Sequence, residues 1–282
     1  MPDRSLSLVV CLFVLACLGQ PVFADITFAD FTSVSGITLN GNAAQSVDNL
    51  RLVDGNTPGE IGTAWFSTAQ SLTGGFSTEF QFSIGGEGGG AGTVGDGLAF
   101  VIQTGADGTA AIGTDGAQVG FGGIVNSLAV EFATNSIQNN VAFVSCGLGV
   151  ANDAANSLCN LGTSVDLSSL GSPISLTDGS THTADVSYVP GTLKISVDGQ
   201  QVLIAGITLG SEIGDPALVG FTAATGDANS PAQYALTETA RIFSWDLSTP
   251  GGTNGSVPEP SSLTLLGLGV ASTVWFTRRK RA

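Results

Sequence analysis

The chain has 282 residues, 40 of them glycine, with apolar side chains at 43% and charged ones at only 11%, a balance that excludes a disordered protein. Of its eight Lys and Arg only Arg51, Lys194 and Arg241 fall within residues 25–257, and of its 23 acids only Asp3 and Glu259 fall outside, so three positive and 21 negative side chains leave a formal charge of −18 there. Such a segment repels nucleic acid and anionic lipid surfaces, which argues against both as partners, and its singly spread charges read as a solvated surface.

The N-terminus opens with Arg4, continues through the apolar run 6–19 ("LSLVVCLFVLACLG") and closes with "PVFA", where Val22 and Ala24 are small. That order reads as an export signal over 1–24, cleaved after Ala24; the run is shorter than the roughly 20 residues a membrane span requires. Residues 25–250 then read as one all-β domain, because period-two alternation recurs and no long helical period appears. In "FSTEFQFSI" Phe76, Thr78, Phe80 and Phe82 share one face, opposite Ser77, Glu79 and Gln81. "GGEGGGAGTVG" (85–95) reads as a flexible loop, and "GLAFVIQ" (97–103), apolar on both faces, as a central strand.

Further along, "THTADVSYV" alternates Ala184, Val186 and Tyr188 against Thr183, Asp185 and Ser187. "TLKISVDGQQVLI" predicts a hairpin with Leu193, Ile195 and Val197 inward, a turn at Asp198-Gly199, and Val202 and Ile204 inward on the return. "RIFSWDLS" puts Phe243, Trp245 and Leu247 on one face. Many short strands with Gly-rich turns predict an antiparallel two-sheet sandwich or jelly roll. Cys11 and Cys17 leave with the signal, so Cys146 and Cys159, 13 positions apart in an exported domain, predict a disulfide over "GLGVANDAANSL".

The C-terminal "VPEPSSLTLLGLGVASTVWFTRRKRA" joins Pro258-Glu259-Pro260, the uncharged stretch 261–276 and the basic cluster Arg278, Arg279, Lys280 and Arg281. Positive-inside bias keeps that cluster cytoplasmic and everything before it across the membrane. The three parts in this order resemble the PEP-CTERM sorting signal of Gram-negative bacteria. That resemblance implies removal of the tail (251–282) by an exosortase-type membrane protease and a final place at the cell surface or in extracellular matrix; a plain C-terminal anchor is the alternative.

Few residues offer catalytic chemistry. The single histidine, His182, shares a face with Ala184, Val186 and Tyr188, which suits a structural role better than that of a base beside a nucleophile. No nucleophile elbow, phosphate loop, zinc cluster or dinucleotide fingerprint is present. Glycoside hydrolysis needs paired carboxylates. Laminarinase-type jelly rolls carry them as E-x-D-x-x-E, whereas here Glu131 is followed by Ala133 and Ser136, so an enzyme is not expected.

Six stretches in order, "SLTGGFSTEFQFSI", "GDGLAFVIQ", "GFGGIVNSLAVEF", "HTADVSYVPGTLKISVDG", "LVGFTAATGDANSPAQY" and "RIFSWDLS", resemble the L-type (legume-type) lectins, their bacterial branch in particular. The resemblance implies a concanavalin-like jelly roll that binds glycan in a shallow site built from loops at one end. It implies that Asp96, in the D-G-L-A-F motif, accepts hydrogen bonds from sugar hydroxyls; capping a tight turn is the competing role. Aligning on Val119-Gly120 puts Ala117 where the family offers a backbone N–H, and the loop 224–234 where sugar preference is set. Gly226, Asp227, Ala228 and Asn229 are the specificity candidates there, against an ordinary surface loop.

In the family, V-E-F-D-T-x-x-N, a second aspartate and a histidine hold a transition metal and calcium, which stiffen the loop carrying a sugar-contacting asparagine. Here Glu131 is the first of those ligands, but Ala133 replaces the bridging acid and Asn140 stands where the histidine would be. The resemblance therefore implies calcium and manganese, while the substitutions predict that the pair of metals is lost. Asn135 is the candidate for the contacting asparagine, with a gap in the alignment. Without metal, a buried Glu131 must find donors, with Thr134, Asn139 and Asn140 at hand, or take up a proton. The expected function is an exported, non-catalytic lectin-like protein that binds extracellular polysaccharide; a structural matrix or adhesion protein on the same fold is the alternative.

Overall fold

The computed structural model describes residues 25–85, 95–134, 138–227 and 236–250. Its strands are β1 (Ile26–Phe28), β2 (Ile37–Gly41), β3 (Ala44–Ser46), β4 (Asn49–Asp54), β5 (Ile61–Phe66), β6 (Phe76–Gly85), β7 (Asp96–Gln103) and β8 (Ser127–Ala133). They continue with β9 (Asn140–Val144), β10 (Val165–Asp166), β11 (His182–Val189), β12 (Thr192–Val197), β13 (Gln200–Ala205), β14 (Leu218–Thr225) and β15 (Thr239–Ser248). Pairing is antiparallel throughout. One sheet has eight strands, ordered β13-β12-β11-β6-β15-β4-β3 with β1 also on β15; the other has seven, ordered β10-β9-β8-β7-β14-β5-β2.

The alternation read from the sequence is the alternation of burial. In β6, Phe76, Thr78, Phe80 and Phe82 are buried and Ser77, Glu79 and Gln81 exposed. In β11, His182, Ala184, Val186 and Tyr188 point inward. The inner faces meet in an aromatic core: Phe221 packs 5.0 Å from Phe80 and 4.9 Å from Trp245, and Phe82 lies 4.8 Å from Phe132, separations at which edge-to-face and tilted rings attract.

Two expectations fail at irregularities of the ladder. The hairpin turn forms at Asp198 and Gly199, both at positive φ as a two-residue hairpin requires. A register shift after Ile195 then leaves Val202 between two pairs, so Leu203 and Ala205 face Ile195 and Leu193 while Ile204 turns outward, 48% exposed. In β15 a similar shift between Ile242 and Ser244 takes Phe243 off the Trp245 face, and Ile242 is buried in its place. A bulge reverses the alternation beyond it, and apolar pattern alone does not announce one.

β7 lies at the centre of its sheet and is buried along its whole length. Its second apolar face meets loops: Ala99 and Val101, with Ala129, Ala142 and Val144 of β8 and β9, are covered by Val119, Phe121, Ile124 and Cys159. Cys146 and Cys159 are disulfide-bonded as predicted. His182 donates to or accepts from Asp198 at 2.8 Å through Nδ1, fastening the start of β11 to the hairpin turn.

Candidate functional site

The site lies where the loops covering the outer face of the seven-stranded sheet meet the ends of β7, β8 and β14. Gly97 must be glycine: φ is +132° and a Cβ would collide with the Phe132 carbonyl oxygen, so β7 and β8 approach closely just beyond Asp96. The Thr134 amide donates to the Asp96 carbonyl at 3.0 Å, and Asp96 stands opposite Thr225 of β14. A tight 3₁₀ turn, Gly116–Gln118, brings the next loop in; a Cβ on Gly116 would lie 3.8 Å from Asp96 Oδ2 and 3.5 Å from the Asp227 nitrogen. Asp96, the Ala117 turn and the base of the 224–234 loop therefore converge.

That base is well tied. The Gly226 amide donates to Leu236 O at 2.9 Å and the Thr225 amide to Glu60 O at 3.0 Å. The Glu60 carboxylate in turn accepts from the amides of Asp54, Gly55 and Thr57, rigidifying the neighbouring turn. The disulfide loop is tied as firmly from the other side. Buried Asn152 donates through Nδ2 to Ser127 O, Ser127 Oγ and Val144 O, and Gln118 donates to Asp153 Oδ1 (2.9 Å) while accepting from the Ala154 amide (3.1 Å).

Between these loops is a cavity of about 300 Å³. Its polar lining is Asp96, Glu131, Gln138, Asn140, Asn160 and Ser164; five alanines, Ala117 and Ala133 among them, and Val119 complete it. Burial pushes Asp96 up to about 6, with the nearby Asp115 charge adding to the effect. Burial pushes Glu131 up to about 8, and the Asp96 charge raises it further. Two of the donors expected for Glu131 are engaged elsewhere: Thr134 Oγ1 donates to Glu238 Oε2 at 2.7 Å, and Asn139 bridges to Ser168, Ile174 and Leu176, while Asn140 lines the same cavity without bonding Glu131 among the described residues. The raised value favours proton uptake, the second of the two alternatives.

Glu238 escaped the sequence reading. It is fully buried behind Asp96, with Oε1 lacking a partner among the described residues. Burial pushes it up to about 8, opposed by the Thr134 hydroxyl and the Gly97 amide and reinforced by the Asp96 charge. A single acid before a strand gives no sequence signal of burial, and Gln118, Asn152 and Asn160 look equally ordinary.

Metal ligation has a poor donor set. Glu131 is flanked along β8 by Ala129 and Ala133 and faces Ala99 and Ala142 across the ladders, while Asn140 pairs with Ala133. Among the described residues no group of three or more His, Cys, Asp or Glu side chains is placed to hold an ion. Hard cations take six to eight oxygen ligands, or near-ideal octahedra, and one glutamate among alanines does not fit them. Asp96 makes no side-chain hydrogen bond among the described residues, so it caps no turn there. Asn135, Ala228, Asn229, Ala24, residues 86–94 of the 85–95 loop, and Pro258-Glu259-Pro260 with the stretch 261–276 lie outside the described residues. Among the described residues no helix is long and apolar enough to cross a membrane.

Two antiparallel sheets stacked face to face, with these loops over one end, are the jelly roll of the lectins. The chain belongs to the legume lectin domain family, whose model matches residues 24–261, and it carries the PEP-CTERM protein-sorting motif at 256–281, which marks it for export and sorting to the cell envelope. Members of that family are non-enzymatic carbohydrate-binding proteins. The Bauhinia forficata lectin in complex with GalNAc is 21% identical, with a TM-score of 0.62 over 81% of this chain and 99% of its own. Basic winged bean lectin with Tn-antigen gives 22%, 0.63, 80% and 99%, and the exoplasmic/lumenal domain of VIP36 in its Ca²⁺/Man3GlcNAc-bound form 14%, 0.54, 84% and 92%. At these identities the likeness is one of fold. None of the curated proteins matches.

Proposed function

We propose that this is an exported protein that binds extracellular polysaccharide without catalysis, through the loop end of the sandwich and without a structural metal. The observation that carries the reading is Asp96: a buried carboxyl with no hydrogen bond of its own among the described residues, lining a cavity where the Ala117 turn and Asp227 converge. An ionised carboxylate so placed is a strong acceptor for ligand hydroxyls. The alanines around Glu131 support metal independence, and the sorting motif supports delivery in a Gram-negative bacterium to the cell surface or matrix, with an exosortase-type protease removing the tail.

A glycan array with the purified protein, run in calcium plus manganese and again in EDTA, tests this. Binding that survives EDTA and is lost in Asp96→Ala is the expected result. Abolition by EDTA would show that cations hold the loops after all, and silence in both buffers would favour a structural matrix protein. Release of reducing ends from bound glucans would overturn the non-catalytic assignment.

A further inference from the structure

Resting on the carbohydrate-binding reading, we infer that the cavity beneath Asp96 is itself the seat of the ligand, in which Glu131 meets the hydroxyls of an uncharged sugar residue directly, with no cation between them. A glutamate on the buried face of β8 would ordinarily be matched by the side chains around it. Here its strand neighbours on both sides are alanines, and its carboxyl makes no hydrogen bond among the described residues. A buried polar group without a partner is costly, and the one open direction is the cavity, which Glu131 lines.

The rest of the lining supplies what a sugar ring needs. The side chains of Gln138, Asn140, Asn160 and Ser164 each combine donor and acceptor capacity, and none is used in a hydrogen bond among the described residues. Six polar side chains thus face one space with no side-chain hydrogen bond among the described residues, over walls of alanine that leave room. At about 300 Å³ that space is at the lower end of small-molecule sites, suited to one sugar residue of a chain.

Charge selects among sugars. Two carboxyls and no Lys, Arg or His line the cavity, in a segment that carries three basic side chains against 21 acids. A uronate or sulfated residue would bring a further anion into a partly desolvated acidic site, which like-charge repulsion and desolvation both oppose. The chemical class that fits is a neutral hexose-type unit. Its contact with Glu131 is separate from the expected role of Asp96.

The test is titration calorimetry of the purified protein in EDTA against neutral oligosaccharides (gluco-, manno- and galacto-series) and a polyuronate, with Glu131→Leu, Glu131→Gln and Ala155→Trp beside Asp96→Ala. Ala155 is exposed on the rim, so a tryptophan there plugs the mouth without disturbing the core. Expected are binding to a neutral series only, affinity about tenfold or more weaker in Glu131→Leu and Ala155→Trp with no fall in melting temperature, and partial recovery in Glu131→Gln. Loss in Asp96→Ala alone, with the Glu131 and Ala155 variants at wild-type affinity, would sink the cavity proposal and leave the lectin reading standing. So would equal binding of the polyuronate or a requirement for calcium and manganese. Binding to no glycan in any buffer would remove both.

Discussion

The outer faces of the two sheets are finished in opposite ways. On the eight-stranded sheet the outward side chains meet solvent, and an acidic row runs across it: Glu79 stands directly opposite Asp185 on β11 and Asp246 on β15. On the seven-stranded sheet the outward side chains of β7, β8 and β9 are mostly alanine and valine beneath Phe121, Ile124 and the disulfide loop, and Glu131 among them is buried. The same residue type is a solubility device on one face and a candidate ligand contact on the other. What differs is the cover.

Removing the cover should therefore cost most. Phe121, fully buried in the loop that forms it, predicts a loss of about 3–5 kcal/mol in Phe121→Ala, read by chemical denaturation. A loss under about 1 kcal/mol would mean that the loop is an ornament on a sheet stable without it.

Opening the disulfide comes next. Its 13-residue separation corresponds to about 3 kcal/mol of loop-closure restraint, so the paired Cys146→Ser, Cys159→Ser variant should unfold earlier by that order. It should also lose glycan affinity, because Ala154 and Ala155 belong to the segment it clasps and Asn160 adjoins Cys159.

Graded is the effect of pH. Glu131 and Glu238 ionise near 4.5 when unfolded and near 8 in the fold, so across that window only the folded chain keeps the protons. The contribution of these two groups is fully present below about 4.5 and is lost as pH rises toward 8, by at most about 1.4 kcal/mol per unit for each group. Unfolding free energies at pH 5 and 8 should show the decline, and Glu238→Gln should flatten it while keeping the hydrogen bond from Thr134. A profile rising across that window would contradict the assignment of neutral buried glutamates.

The smallest effect belongs to the bare sheet. Glu79→Lys replaces two like-charge cross-strand pairs with two opposite ones and should stabilise by about 0.2–1 kcal/mol, less in high salt. Burial and those two neighbouring acids already hold the Glu79 carboxyl above its ordinary range. No gain at low salt would mean that the row is already neutralised by solvent.

This contrast also separates what the sequence made legible from what it did not. β6 and β11 could be read residue by residue because one face is wet, and period-two alternation records that directly. β7 could be identified as central because both faces are apolar, yet nothing in "GLAFVIQ" says that loops, not a third sheet, cover the second face. Asp96, Ala117, Glu131 and Asn140 were found through ordered family motifs, and all four line one cavity. Glu238, Gln118, Asn152 and Asn160 were not, since their roles depend on contacts between segments far apart in the chain. Phe243 and Ile204 were misassigned because a one-residue bulge changes which face a side chain takes without changing any residue around it.

The clasp between Cys146 and Cys159 also sets when the site comes into being. In a reducing cytoplasm the two thiols stay unlinked, and the segment carrying Ala154 and Ala155 is held by hydrogen bonds alone, among them those of the Gln118 side chain and of the Ser145 amide to Cys159 O. Export to an oxidising compartment lets the bond close and fixes the wall, so the cavity is completed only once the chain has left the cytoplasm.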